Sequence, residues 1–370
     1  MIFRWKPVFS AGSFFFIDSI PAIEDNKFGK VGIEENVANL KDVARLAGVS
    51  VATVSQALNG KYVNERTREK VLKCAAELKY YPNKSGRTLI TGKAATIMLV
   101  VINSRGHADI VNESTFFYHI IQGILKVVEK QEHSFLFDVK NWEDADLTEY
   151  FTRRVHDRST DGLIIIPQYV RPYDFLSALG DFPVIFLNAS DVTEQLNTVY
   201  IDNELGARLI AEHFIKSGYK NIAIIHGPED HYDGIQRKRS FLATMKSNGI
   251  DVPEKSQIYG DYTIESGHRG AALLLETVQP EAIFCANDYM AAGAMRCLKE
   301  RGLSIPGDVA VAGYDNVELS QAVFPQLTTI DGRMHDLGIA LAENLFKVMD
   351  TGHSPVNIRL VPQLLKRGTA

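Results

Sequence analysis

Residues 40–59 read Leu40-Lys41-Asp42-Val43-Ala44-Arg45-Leu46-Ala47-Gly48-Val49-Ser50-Val51-Ala52-Thr53-Val54-Ser55-Gln56-Ala57-Leu58-Asn59 (LKDVARLAGVSVATVSQALN). Leu40, Val43, Ala44 and Ala47 recur at helical spacing and define one apolar face. Gly48 suits the positive φ of a tight turn, and Val49 can plug the small core beneath it. Ser50 is a good N-cap for a second helix through Leu58, with Val54, Ala57 and Leu58 inward. Asn59-Gly60 breaks that helix. Asn64 caps a third helix whose apolar positions are Val71, Ala75 and Leu78, ended by Tyr81-Pro82. Two short helices across a tight turn, supported by a third, make a helix-turn-helix, whose second helix enters the major groove of DNA. A helical bundle of no special purpose is the other reading of the pattern alone.

Charge favours the groove. Residues 39–93 hold eleven Lys and Arg against four Asp and Glu, a net +7, whereas the 370-residue chain as a whole is at −5. A basic module on an acidic body suggests that only the module meets a polyanion. The length predicts two or three domains, and 45% apolar with 23% charged residues is a globular composition. No apolar run approaches the roughly 18 residues that span a bilayer. The three scattered cysteines, Cys74, Cys285 and Cys297, fit reduced thiols and a cytoplasmic location better than a disulfide framework.

Residues 1–38 show neither helical nor strand periodicity and read as a non-native or disordered extension. Arg4 and Lys6 ahead of Ser13-Phe14-Phe15-Phe16-Ile17 faintly resemble a secretory signal, but Pro7 and Asp18 bracket the apolar patch. A mis-assigned start is the preferred expectation, with translation beginning near Val37 behind the purine-rich codons of Glu34-Glu35.

From Ala95 onward, buried-strand runs alternate with amphipathic helices. Strands are expected at 96–102, 162–166, 183–187, 221–225, 282–285 and 309–313, and helices at 118–128, 206–211 and 235–248. Continuous β-branched runs between helices argue parallel sheets covered on both faces. Two such lobes with crossings near Asn188–Ala189 and Leu327–Ile330 would leave a cleft at the strands' carboxyl ends, where ligands of open α/β sheets bind.

The motif Leu40-x-Asp42-Val43-Ala44-x-x-Ala47-Gly48-Val49-Ser50-x-x-Thr53-Val54-Ser55-x-x-Leu58-Asn59 resembles the DNA-binding head of the lactose-repressor (LacI) family, as do Thr67-Arg68-x-x-Val71 and Leu78-x-Tyr80-x-Pro82-Asn83. The resemblance runs from residue 39 to about 366. Its markers in the body are Asp202-Asn203-x-x-Gly206, Ala286-Asn287-Asp288, Gly313-Tyr314-Asp315 and Leu327-Thr328-Thr329-Ile330. It implies an all-α helix-turn-helix head and a two-lobed α/β body like the sugar-binding periplasmic proteins, with Rossmann-like parallel sheets. The implied domains are the head at 39–83, a hinge helix at 84–93 and an effector and dimerisation domain at 94–370. Within the last, an N-lobe takes about 94–188 and 328–350, and a C-lobe about 189–327 and 351–370.

The resemblance also implies residue roles. Val51, Ala52 and Gln56 would face bases, with Ser50, Thr53 and Ser55 near phosphates; Asn59, Asn83, Arg87 and Leu89 complete the DNA-contacting set. Leu89 stands where the family's hinge wedges a leucine into the minor groove. Gly86 replaces the usual alanine and weakens an isolated hinge helix by about 1 kcal/mol. Arginine is usual where Gln56 stands; glutamine suits adenine N6 and N7, which predicts A·T where relatives read G·C. The implied effector contacts are Asn188, Arg237, Tyr262, Asn287 and Asp315. Gly332 stands where the family has a glutamine, Ser240 replaces a glycine, and the loop 103–117 is longer than usual. The cluster Arg237-Lys238-Arg239 leaves a phosphorylated or acidic ligand open.

No P-loop, GxGxxG, GxSxG or HExxH is present, so neither catalysis nor a cofactor is expected. His226-Gly227-Pro228-Glu229-Asp230-His231 has metal-like residue types, but its reading as polar cleft lining is preferred and no metal is expected. The expectation is a homodimeric repressor that binds palindromic double-stranded operator DNA and is controlled by a small molecule, a carbohydrate by preference, away from membranes. A solute-binding module without a regulatory DNA function is the alternative.

Overall fold

The computed structural model describes residues 38–58, 63–80, 93–105, 115–144, 146–188, 196–352 and 356–370. Residues 1–37 of the expected extension 1–38, the contacts Asn59, Asn83, Arg87 and Leu89, residues 84–92 of the hinge and residues 106–114 of the long loop lie outside the described residues. The chain divides into two units, one up to residue 82 and one from residue 83 onward.

In the first unit, α1 (Leu40–Ala47) opens on a capping box. The Asn39 Oδ1 accepts the amides of Lys41 at 2.9 Å and Asp42 at 3.3 Å, and Asp42 Oδ2 accepts the Asn39 amide at 3.0 Å. Gly48 ends α1 at φ 63°, a left-handed conformation that an L side chain seldom adopts. Ser50 then caps α2 (Val51–Leu58), its Oγ accepting the Thr53 amide at 3.1 Å, and Asn64 caps α3 (Glu65–Glu77) through the Thr67 amide at 2.8 Å. Val43, Ala44, Ala47, Val54, Ala57, Val71 and Ala75 form the core, with Val49 packed against it. The helix α3 stops earlier than Tyr81-Pro82 would require. Leu78 is its C-cap and Lys79 takes φ 50°, so Leu78 packs from the helix end instead of its interior.

The second unit holds two lobes. Lobe 1 is a six-stranded parallel sheet in the order β11-β5-β4-β3-β1-β2. The strands are β1 (Thr96–Asn103), β2 (Ser134–Asn141), β3 (Gly162–Pro167), β4 (Val184–Leu187), β5 (Thr198–Ile201) and β11 (Asn357–Leu360). All eight residues of β1 are buried, as its unbroken apolar run requires in a sheet covered on both faces. Helices α4 (Phe116–Lys130) and α12 (Met334–Thr351) cover one face, and α5 (Leu147–His156) and α6 (Leu176–Leu179) the other.

Lobe 2 is a four-stranded parallel sheet in the order β7-β6-β8-β9, made of β6 (Ile222–His226), β7 (Gln257–Tyr259), β8 (Ala282–Cys285) and β9 (Ala310–Ala312). Helices α7 (Asn203–Lys216) and α8 (Tyr232–Ser247) pack on one face, α9 (Ile264–Thr277) and α10 (Asp288–Glu300) on the other. The short α11 (Leu319–Ala322) precedes an antiparallel pair, β10 (Thr329–Asp331) with β12 (Gln363–Leu365), which joins Ile330 to Leu364. Cys74, Cys285 and Cys297 are free and buried. Among the described residues no helix is long and apolar enough to cross a membrane.

The lobe boundaries differ from those read off the sequence. Residues 198–201 pair with β4 and β11, so they belong to lobe 1 although the C-lobe was expected from 189. Residues 328–331 belong to lobe 2, where Thr328 bridges Ala312 and Ile330 enters the core. Residues 357–360 return to lobe 1. The chain therefore crosses three times, after β5, after β10 and after β11. Two of the strands that decide this are only four residues long, too short to give a periodic signal.

Candidate functional site

The cleft between the lobes is built from strand and helix ends. Lobe 1 contributes Gln168 just after β3, Asn188 just after β4, and Phe116 and Phe117 at the start of α4. Lobe 2 contributes His231, Tyr232, Asp233 and Arg237 around the first turns of α8, Tyr262 after β7, Asn287 and Tyr289 at the start of α10, and Asp315 after β9. The cleft encloses about 610 Å³ of empty space, its open mouth included. All five expected effector residues line it.

Arg237 is the hub, and it is buried. Its Nε donates to Asn203 Oδ1 at 2.8 Å and its Nη1 to the Ala286 carbonyl at 2.6 Å. Nη2 lies 3.2 Å from Asp315 Oδ1 and 3.9 Å from Asp233 Oδ2. The guanidinium stacks on Tyr314 at 3.6 Å from the ring centre. Asp233 Oδ1 accepts from Asn188 Nδ2 at 2.8 Å, across the cleft, and from Asn203 Nδ2 at 3.1 Å. Burial pushes the Asp315 carboxyl up to about 7, opposed by Arg237 and reinforced by Asp233. Burial likewise raises Asp233. Behind them, buried Asp288 is raised by burial and by Asp315, while it accepts from Thr329 Oγ1 and the Val317 amide.

Asn287 is engaged as a helix cap. Its Oδ1 accepts the Met290 amide at 2.9 Å and its Nδ2 donates to the Tyr262 carbonyl at 3.0 Å, which leaves one amide proton and one lone pair for a ligand. The Tyr262 hydroxyl sits 3.2 Å from His231 Nδ1. Asn188, Tyr262 and Asp315 have φ of 49°, 68° and 105°, the left-handed side that costs of the order of 1–3 kcal/mol each for such residues. Three of the five expected contacts are thus held in strained backbone where they face the cleft.

Lys238 and Arg239 leave the cleft. Lys238 Nζ donates to the Tyr259 hydroxyl at 2.7 Å, and Arg239 pairs with Glu204 on an exposed surface. The triplet Arg237-Lys238-Arg239 therefore provides one cation to the cleft, not three, because consecutive helical residues point in different directions. The two histidines of the loop 226–231 also separate. His226 is buried beside Tyr259, and His231 lies in the cleft against Tyr262. Among the described residues no cluster of metal-ligating side chains forms.

The sequence reading missed Asp233, Asn203, Gln168 and Tyr289. A signal existed for Asp233, since it precedes Arg237 by one helical turn, the spacing of an ion pair. Gln168 and Tyr289 have no local signal.

In the first unit, Ser50, Val51, Ala52 and Gln56 are exposed, Thr53 and Ser55 half-buried, and Val54 and Ala57 buried. The face opposite the core is therefore a stripe of small side chains flanked by Gln56. The Ser50 and Thr53 hydroxyls lie 2.8 Å apart, with lone pairs remaining on both.

Two seams close the cleft. At one, the Val170 amide donates to the Asp230 carbonyl at 2.9 Å, the Tyr232 amide to the Gln168 carbonyl at 3.1 Å, and Arg171 pairs with Asp230. At the other, the Thr115 amide donates to the Tyr289 hydroxyl at 2.9 Å, Thr115 Oγ1 to Glu318 Oε2 at 3.1 Å, and His119 Nε2 lies 2.8 Å from Glu318 Oε1.

Comparison with known proteins follows the same division. Residues 39–83 match the family described as bacterial regulatory proteins, lacI family, and residues 211–370 match a periplasmic binding protein-like domain. A probable HTH-type transcriptional repressor ExuR of Bacillus subtilis (strain 168) is 29% identical over 323 residues, 85% of this chain and 92% of that one. The lac repressor dimer bound to operator and the anti-inducer ONPF is 30% identical, with TM-score 0.78, over 90% of this chain and 98% of that one. The transcriptional regulator CelR in complex with cellobiose is 27% identical, with TM-score 0.68, over 90% of this chain and all of that one.

Proposed function

The chain belongs to the lacI family of bacterial regulatory proteins, DNA-binding repressors under small-molecule control, and we propose that its own controlling ligand is a carbohydrate or carbohydrate derivative held between the two lobes. The observation that carries this is the convergence of Asn188, Arg237, Tyr262, Asn287 and Asp315 on one cleft. Paired donors and acceptors beside aromatic faces suit the hydroxyls and apolar edges of a sugar ring. CelR, similar in fold and sequence, holds cellobiose. The cleft binds and releases; its side chains do not catalyse. The protein works in the cytoplasm as a homodimer, as the operator-bound lac repressor is a dimer.

On DNA, the exposed stripe of α2 enters the major groove, with Val51, Ala52 and Gln56 toward bases and Ser50, Thr53 and Ser55 toward phosphates. Asn59, Asn83, Arg87 and Leu89 extend the contact toward the minor groove. Gln56 reads adenine, so the palindromic operator has A·T where an arginine would select G·C, a preference of about 1–3 kcal/mol. Effector binding shifts the balance between lobe arrangements by its differential affinity, with a coupling of about 1–3 kcal/mol.

Selection of binding sites from random DNA, followed by mobility shift with and without candidate sugars, tests this reading. The expected result is a palindrome with A at the Gln56 position, a change to G in Gln56→Arg, and a sugar-dependent shift of the complex. Absence of any specific complex would defeat it.

A further inference from the structure

The charge inside the cleft is unbalanced. Asp233 and Asp315 flank a single guanidinium, that of Arg237, and no other Lys or Arg is among the described lining residues. Asp288, buried directly behind, is held toward its neutral form by burial and by Asp315, so the acidic character of the cleft rests on Asp233 and Asp315 alone. Helix N-termini would ordinarily supply positive potential here. Two of the three that open on the cleft carry their own carboxylates in the first turn, Asp233 on α8 and Asp288 on α10. Only α4 opens without one, and a helix terminus counts for about half a charge. A carboxylate or phosphate placed here would meet like charge in a poorly solvated space.

Hydrogen-bond capacity points the same way. Asp315 Oδ1 is buried and its one close donor is Arg237 Nη2, at 3.2 Å and poorly aligned; Gln168 Oε1 is buried without a partner. Both are acceptors, so the ligand must bring donors. Phe116, Phe117, Tyr232, Tyr262 and Tyr289 line the same cavity as this acidic pair, and aromatic faces attract cations.

We infer that the effector is a hydroxylated cation, of the amino-sugar class, and that Asp233 and Asp315 together set this charge preference. The inference rests on the reading of the cleft as the effector site. It makes Asp233, fixed by Asn188 and Asn203, a specificity-determining residue even though its Oδ1 already has two donors. The ammonium of the ligand faces Asp315, whose oxygen has only the poorly aligned Arg237 Nη2 beside it, and its hydroxyls turn to Asn287 and Gln168.

The test is calorimetric titration of the full-length protein with the glucose, galactose and mannose series. Each is used in four forms: 2-amino-2-deoxyhexose, parent hexose, N-acetylated amide and hexuronate. At least one amino sugar is expected to bind about tenfold more tightly than its parent and its amide, with the hexuronate weakest. Asp315→Asn and Asp233→Asn, each checked for a native melting transition, are expected to reduce that preference to less than about threefold. A parent, amide or hexuronate that binds as tightly as the amino sugar overturns the inference, as does an absence of binding by all amino sugars. An amino sugar that binds with the expected preference yet leaves operator binding unchanged supports the charge inference while defeating the regulatory reading.

Discussion

At the end of β6, His226 is sealed from solvent, and neither ring nitrogen has a hydrogen-bond partner of ordinary geometry. Burial, with Lys238 adding to it, pushes the imidazole down to about 3, so the folded chain holds it neutral at any physiological pH. The unfolded chain protonates near the ordinary value of 6.5. Between those values the unfolded state binds the extra proton, so the stability contributed by neutral His226 is complete above about 6.5 and is lost as pH falls toward 3. The raised carboxyls Asp233 and Asp315 act in the opposite sense, which is why a difference measurement is needed. Urea denaturation of wild type and His226→Gln at pH 7.5 and 5.0 is expected to show a smaller acid loss in the variant. The gap should approach about 1.4 kcal/mol per pH unit below 6.5. Parallel pH dependences would mean that the folded imidazole titrates normally.

The helices α4 and α12 cross with their backbones in contact, and two glycines permit it. A Cβ on Gly338 would fall 2.1 Å from the Ile120 carbonyl oxygen, and one on Gly123 would fall 2.1 Å from that of His335. Both obstacles are main chain, so no rotamer change relieves them. Gly338→Ala should therefore lose stability by about 1–3 kcal/mol despite the better helix propensity of alanine, as urea denaturation would show. A stabilised variant would mean that the helices separate easily. The glycines themselves were visible in the sequence, but what they touch was not, because the crossing joins residues more than two hundred positions apart. The same distinction runs through the rest of the molecule. The run 96–102 announced a buried strand, and Ser50 and Asn64 announced caps, since each signal is local. Thr198–Ile201 and Asn357–Leu360 pair with each other at the far end of the sheet, and four residues hold too little periodicity to be read. In the cleft, Arg237 and Asp315 came through the resemblance. Asp233 needed the helical turn to be considered, and Tyr289 needed the opposite lobe.

Closure of the whole body depends on two seams of different chemistry. The seam of residues 168–171 with 230–232 is mostly main chain, so substitutions can alter it little. The opposite seam depends on side chains, with Glu318 accepting from Thr115 and meeting His119. Glu318 is more than half exposed, and such pairs contribute about 0–1 kcal/mol. That is small against folding but not against an equilibrium between open and closed lobes. If the lobes move as rigid bodies, opening at one seam strains or breaks the other. The amides of Val170 and Tyr232, which donate across the first seam, then report on a side chain of the second. Glu318→Ala should raise hydrogen exchange at those two amides by up to about fivefold in the ligand-free protein, with the global melting temperature nearly unchanged. Exchange confined to the neighbourhood of Thr115 would show instead that each seam opens alone. The effector would then have to close them separately, so that the Glu318 contact would affect ligand release without affecting closure at the first seam.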